Sequence, residues 1–294
     1  MLNVKRISHA TFETADLERQ TDYHVNVLGL SVAAKQKDAV FFKTGTGIPS
    51  LTIEKGSAAA CRRIAFQVAP GSDMGDLQKR LKAGGIAAER RSDSMPGIGD
   101  MITFDDPKGT AIDIFAEEEY APADMTPKGF VPLKLGHLAF KVQDIRQIVA
   151  FYQDVLGFRV SDWRQDFFVF MRCGPDHHTV NFATAEKVKM HHIAYQLRDM
   201  AEMTRACDFL GRHKFQIIWG PGRHVIGDNV FTYHKDPDGH IIELYCELAQ
   251  IDSEDLGHFN PRPWRFDIPY KPTVWGPDTL GNLWGPPAPQ GFGS

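Results

Sequence analysis

The chain repeats itself, and the repeat limits what it can fold into more than any other feature does. Ile7-Ser-His-Ala-Thr-Phe12, an amphipathic stretch and Val27-Leu-Gly-Leu-Ser-Val32 return 128 residues later as Leu135-Gly-His-Leu-Ala-Phe140, another amphipathic stretch and Val155-Leu-Gly-Phe-Arg-Val160. Arg62-Arg-Ile-Ala-Phe-Gln-Val68 matches His191-His-Ile-Ala-Tyr-Gln-Leu197 at a shift of 129. Gly99-Asp-Met-Ile-Thr-Phe104 and Asp106-Pro-Lys-Gly-Thr-Ala-Ile-Asp-Ile114 match Gly227-Asp-Asn-Val-Phe231 and Asp236-Pro-Asp-Gly-His-Ile-Ile-Glu-Leu244. Two homologous halves follow: residues 1–120 and 134–250, joined by a Pro-containing polar linker at 121–133 and followed by a Pro/Gly/Trp-rich extension at 251–294.

Each half divides again into two units of strand, helix and three short strands, which makes an α+β fold of four βαβββ modules in two tandem domains. In the second half, alternation predicts strands near 134–142, 158–164, 167–172 and 178–184 around a helix at 143–156, with Ile145, Ile148, Val149, Tyr152 and Leu156 on its apolar face and Gly157 as its stop. The next module reads as a strand at 190–197, a helix at about 199–211 ended by Gly211, and strands near 215–220, 229–234 and 240–246. Paired sheets of this kind curl around shared cavities, which are good ligand sites.

The second half carries a set of metal-ligand side chains on rigid elements. His137, His192 and Glu243 each fall on a predicted strand, Glu243 just after the tight Asp236-Pro-Asp-Gly239 turn, to which no chemistry is assigned. Two imidazoles and a carboxylate form a facial triad that leaves one side of an octahedral cation open. The repeat aligns His192-Ile-Ala-Tyr with His137-Leu-Ala-Phe, so these two histidines share an environment and His191, one residue earlier on a strand, faces away. By the same alternation His234 points outward from Tyr233. The first half supplies a control: its counterparts are His9, Arg63 and Asp113, and an arginine cannot ligate a cation, so that half is expected to lack the metal.

Composition narrows the function classes. With 33 basic and 37 acidic residues, a net charge of −4 and no basic stripe, neither nucleic acid nor an anionic membrane surface is expected as a partner. No signal-peptide core or long apolar run is present, so a cytoplasmic location is expected. Cys61, Cys173, Cys207 and Cys246 have no paired spacing and read as reduced thiols, with Cys246 a softer alternative ligand three residues from Glu243.

The Gly227 to Glu243 segment resembles the signature of the type I extradiol ring-cleavage dioxygenases of the vicinal oxygen chelate (glyoxalase/bleomycin resistance) superfamily. The resemblance covers most of the chain, since that family also has two duplicated domains with metal only in the second. It is carried by Tyr233, ten residues before Glu243; by His224, nine before Tyr233; and by His178, fourteen before His192. It implies Fe(II), with Mn(II) as the alternative, held by His137, His192 and Glu243, and a catechol-type substrate and O2 meeting at the metal in aromatic degradation. His178, with His177 as the competing assignment, would be the acid–base group. Tyr233 and His224 would hold the substrate hydroxyls, with Phe170 and Ile226 lining the pocket. A homo-oligomer, dimer or tetramer, is also implied. A glyoxalase-like isomerase or lyase, and a metal-free binding protein of the same fold, are the alternatives. The tail, too rich in Pro and Gly for regular structure, resembles extensions that lie across the active-site mouth or at subunit contacts. Arg262 or Arg265 within it would suit a substrate carboxylate, and Gln290 to Ser294 would fray.

Overall fold

The structure, a computed structural model, describes residues 1–92, 95–124, 126, 128–252 and 272–292. The first half runs β1 (Arg6–Thr14), α1 (Leu17–Asn26), β2 (Ser31–Lys35), β3 (Ala39–Lys43), β4 (Pro49–Lys55), then β5 (Ala60–Gln67), α2 (Met74–Ala83), β6 (Glu89–Arg91), β7 (Met101–Asp105) and β8 (Ala111–Phe115). The second half repeats the order with β9 (Lys134–Val142), α3 (Ile145–Phe151), β10 (Arg159–Arg164), β11 (Phe168–Arg172), β12 (Val180–Thr184), then β13 (Lys189–Gln196), α4 (Met200–Arg212), β14 (Trp219–Arg223), β15 (Val230–Lys235) and β16 (Ile241–Cys246). Strand, helix and three strands thus occur four times, as the repeat predicts. In each module the first and last strands pair in parallel, β1 with β4, β5 with β8, β9 with β12 and β13 with β16. A parallel pair needs a crossover connection, which the helix and two intervening strands supply.

The strands form two sheets, one ordered β2-β3-β4-β1-β5-β8-β7-β6 and one β14-β15-β16-β13-β9-β12-β11-β10-β17, where β17 (Thr273–Trp275) comes from the tail. Its parallel pairing with β10 corrects the expectation of an irregular extension. The strand survives because residues 273–275 contain neither Pro nor Gly, the two residues that made the rest of the tail unreadable.

Local differences from the sequence reading have local causes. Gly157 ends the α3 region with φ +82 after a π turn over Tyr152–Leu156, as expected. Gly211 does not end α4: the helix continues to Arg212, and Lys214 instead takes the left-handed conformation, with φ +60. The Phe215 amide then donates to the Leu210 carbonyl at 2.9 Å, closing the helix, so the strand expected at 215–220 begins only at Trp219. The start of α4 follows rule: Asp199 caps the Glu202 amide at 2.9 Å, and Met203, Ala206 and Leu210 turn one buried face inward. Within the expected linker, the Asp124 amide donates to the Gly45 carbonyl and the Phe130 amide to the Val27 carbonyl, at 2.9 and 3.2 Å.

By their contacts the residues fall into two compact units. One comprises Met1–Leu135, Gln147–Gly157 and Asp236–His240; the other comprises Gly136–Arg146, Phe158–Lys235 and Ile241–Ser294. In the first unit each Asp-Pro-x-Gly turn is tied to a helix from the other half of the repeat. Gln20 of α1 donates to Asp236 at 3.2 Å, and the Tyr152 hydroxyl donates to Asp106 at 3.1 Å. His24, one turn beyond Gln20, is buried with its Nδ1–H donating to the Gln20 carbonyl at 2.8 Å. Burial pushes its imidazole down to about 4. The unfolded chain therefore takes up a proton near pH 6.5 that the folded chain refuses, so His24's contribution is fully present above pH 6.5 and is lost as pH falls toward 4. Urea titrations should show a His24-dependent slope of about 1.4 kcal/mol per pH unit between pH 6 and 4.5. His24→Gln should flatten that slope; an unchanged slope would show that other groups carry the acid sensitivity.

Candidate metal centre and cavity

The second unit holds a cavity of about 270 Å³ whose walls come from β9 to β16, the loop after β14 and the tail. Inward alternation on β9 brings His137 to it, β13 brings His192 and β16 brings Glu243. The His137 and His192 Nε2 atoms lie 3.2 Å apart, and each is 3.1 Å from Glu243 Oε2. All three side chains are buried. Among the described residues this is the one group of three or more His, Cys, Asp or Glu side chains close enough to share a cation. Cys246, the softer alternative, is not part of it.

Hydrogen bonding alone satisfies this triangle poorly. Glu243 Oε2 accepts from both rings only if both Nε2 atoms carry hydrogens, and those hydrogens then confront one another across the third edge. A divalent cation at the centre, facing two imidazole lone pairs and a carboxylate, removes the conflict, and the N2O set is the one that borderline divalent ions accept. The residues therefore fit a metal. Burial alone would push the Glu243 carboxyl up, but the two histidines outweigh it and hold it well below the usual carboxylate range, so it is an anion ready to ligate. Asn229 fixes its orientation by donating Nδ2–H to Glu243 Oε1 at 2.9 Å. Gly136 lets the Tyr245 ring stand beside His137, with centroids 5.2 Å apart, because a Cβ there would lie 1.8 Å from the Tyr245 hydroxyl oxygen.

His178, Tyr233 and His224 reach the same cavity. His178 packs edge-on against His137, with ring centroids 4.3 Å apart. Behind it His177 contacts His178 Nδ1 to Nδ1 at 3.0 Å and Asp162 through Nε2 at 3.0 Å, all three side chains being buried. Of the two candidate histidines, His178 lines the cavity and His177 stands behind it. Burial, with His137 and His177 beside it, pushes the His178 imidazole well below its ordinary range. Opposite, Tyr233 and His224 share a 3.0 Å contact between hydroxyl and Nε2, while His224 Nδ1 sits 2.7 Å from the Gly281 carbonyl. A carbonyl only accepts, so the His224 proton is on Nδ1 and the Tyr233 hydroxyl donates to Nε2. Burial, and next the Glu243 charge, raise the Tyr233 phenol well above its usual range.

Phe170 and Ile226 line the cavity as expected, with Phe168, Ala139, Ala183, Asn181 and Trp219. Trp219 lies nearly parallel to Tyr233, 10° apart with centroids at 5.5 Å. Two histidine expectations are corrected. His191 does not face away: it lines the cavity, its Nδ1 2.7 Å from that of His192. His234 leaves the cavity by alternation but is fully buried beside Phe215, with burial lowering its imidazole to about 3. Leu280, Gly281, Ala288 and Phe292 of the tail line the cavity, and Phe292 packs on His191, Trp219 and Tyr233, so the expected fraying does not extend to it. Arg262 and Arg265 lie outside the described residues.

The residues that the sequence did not single out are Asp162, Asn229, Asn181, Tyr245 and Trp219. Asn229 was readable, because it shares a strand face with Phe231 and Tyr233 in the run leading to β15. Asp162 was not, because its partner His177 lies on a loop fifteen residues away.

The sequence pattern of the Glyoxalase/Bleomycin resistance protein/Dioxygenase superfamily matches residues 134–244. An iron-dependent extradiol dioxygenase of Rhodococcus jostii strain RHA1 is 25% identical over 280 residues, spanning 86% of this chain and 92% of that protein. A manganese-dependent 2,3-dihydroxybiphenyl 1,2-dioxygenase of Geobacillus genomosp. 3 is 25% identical over 301 residues, spanning 94% and 95%. Among solved structures, the Mn(II)-bound glyoxalase from Novosphingobium aromaticivorans superposes with a TM-score of 0.83 at 26% identity, covering 98% of this chain and 93% of its own. No helix among the described residues is long and apolar enough to cross a membrane. Residues 134–244, which carry the convergent His137, His192 and Glu243, thus form a domain of the glyoxalase/bleomycin resistance protein/dioxygenase type, the vicinal oxygen chelate fold.

Proposed function

We propose that the chain is an extradiol dioxygenase that opens a catechol-type ring beside one of its two hydroxyls and inserts both atoms of O2, a step in the degradation of aromatic compounds. The observation that carries this reading is the meeting, in one largely apolar cavity, of a two-histidine, one-carboxylate triad with His178 on one side and the Tyr233–His224 pair on the other. Relatives named as iron- or manganese-dependent extradiol dioxygenases along nearly their whole lengths support it.

His137, His192 and Glu243 would hold Fe(II) or Mn(II). Bound there, the metal supplies Lewis-acid activation of the diol and a common site for diol and O2. The protein's own groups do the rest. Tyr233, its O–H given to His224, offers its oxygen as an acceptor to a substrate hydroxyl, with His224 fixing its direction. Phe168, Phe170, Ile226 and Trp219 hold the ring and keep water out. His178, neutral at pH 7, accepts a proton from a substrate hydroxyl through its cavity-facing nitrogen and returns it later to the reacting oxygen. Asp162 and His177 set which nitrogen that is.

One observation favours a second reading: the similar Mn(II)-bound structure is a glyoxalase, so a glyoxalase-like isomerase or lyase is the competitor. Oxygen uptake separates the two. Protein loaded anaerobically with Fe(II), and separately with Mn(II), should consume one O2 per catechol and form a yellow ring-opened product. Metal-loaded protein that takes up no oxygen with unsubstituted, alkyl, phenyl, carboxylated or trihydroxylated rings would transfer the case to the competitor.

A further inference from the structure

Two cations line this apolar cavity, and among its described lining residues no acid outside the triad answers them. Strand register places Lys141, Ala183, Phe168 and Arg164 in one row across β9, β12, β11 and β10: Lys141 pairs with Ala183, Ala183 with Phe168, and Phe168 with Arg164. All four line the cavity. The next row toward the triad is Ala139, Asn181, Phe170 and Asp162. Lys141 lies four residues beyond His137 on β9, about 13 Å along the strand. A substituted ring at the triad together with an extended lysine side chain spans that length.

Among the described residues no acid in the cavity wall compensates the charge of this outer row. Among the described lining residues the only acid is Glu243, which the triad uses. Arg164 gives one N–H to the Thr279 carbonyl at 3.0 Å, which orients the guanidinium without neutralising it. Burial, and then the charge of Lys189, lower the Lys141 ammonium from its usual range. A cavity meant only for alkyl or phenyl substituents has no use for two cations in its wall, whereas an anion completes the site.

We propose that Lys141 and Arg164 form an anion subsite, and that the preferred substrate is a catechol bearing a carboxylate on a short side chain, directed away from the two hydroxyls. This rests on the ring-cleavage reading of the same cavity. The planar guanidinium suits a two-point grip on a carboxylate, and the flexible ammonium reaches in from the other end of the same row.

The test compares 3-(3,4-dihydroxyphenyl)propionate and 3-(2,3-dihydroxyphenyl)propionate with their methyl esters, by anaerobic calorimetric titration of the Fe(II)-loaded protein and by oxygen uptake. The quantity read is the acid-to-ester preference, in which any general loss of metal or fold cancels. At least one acid should bind about tenfold or more tightly than its ester, as a charge-assisted contact provides. Lys141→Met and Arg164→Met should each reduce the preference, and the double variant should bring it near one. Turnover of unsubstituted catechol with no acid preference, or a preference that survives both substitutions, overturns the subsite while leaving ring cleavage standing. Lysine-dependent tight binding of the acids with no oxygen uptake on any catechol overturns the ring-cleavage reading and leaves the subsite standing.

Discussion

Glu243→Gln abolishes metal retention and oxygen uptake together. The substitution keeps the shape and one oxygen of the side chain but removes the charge, and two neutral imidazoles with an amide are a far weaker set for a divalent ion. Disturbing groups that merely orient metal ligands already costs about 10–100-fold in affinity or activity, so loss of the anionic ligand itself should exceed about a hundredfold in metal affinity. Asn229, whose amide donates to Glu243 Oε1, can also donate to a glutamine oxygen, so the fold around residue 243 should persist. Metal analysis after desalting, circular dichroism and oxygen uptake together decide it. A variant that keeps stoichiometric iron would remove Glu243 from the centre, and a variant that keeps turnover without iron would remove the metal from the reaction.

The sequence revealed the repeat and the triad for the same physical reason: both are written in short-range periodicity. His137, His192 and Glu243 sit on strands whose alternation fixes their face, and the duplication supplies a second copy against which to judge each position. At the first-half counterparts the structure places an ion pair, with Arg63 Nη1 3.1 Å from Asp113 and the Thr103 hydroxyl also bound to that carboxylate. Contacts between distant segments were not legible. Nothing local in Val160-Ser-Asp-Trp163 announces that Asp162 will meet a histidine from the β11–β12 loop. Similarly, nothing in a Pro/Gly-rich tail announces that Gly281 will fix the His224 tautomer or that Phe292 will cover Tyr233. Lys214 shows the same limit at a helix end: the left-handed residue closing α4 was read as Gly211 by composition, while the actual closure depends on which amide is free to reach the Leu210 carbonyl.

His178→Gln lowers kcat by about 10²–10⁴-fold with metal still bound, the range a positioned acid–base group contributes. The chain behind it gives a finer test. Asp162 as a carboxylate only accepts, so His177 Nε2 carries the hydrogen of that 3.0 Å contact. With His177 neutral, its Nδ1 lone pair accepts from His178 Nδ1–H, which leaves the His178 Nε2 lone pair for the cavity. Gly227 seals this arrangement, since a Cβ there would come within 3.2 Å of both His177 Nδ1 and His178 Cε1. Asp162→Asn can reverse the whole chain while keeping its shape. The amide donates to His177 Nε2, His177 Nδ1–H donates to His178, and His178 then points N–H into the cavity where a base is needed. Its remaining oxygen still accepts from the Thr273 amide, so β17 stays docked. The expected loss in kcat is about 10–100-fold, typical of partners that fix a histidine's tautomer, with KM and metal content little changed. Asp162 is thus a positioning residue, and kcat measured against KM separates that role from a structural one. If Asp162→Asn raised KM and lowered metal content while kcat held, the buried carboxylate would be supporting the sheet and the tail rather than His178.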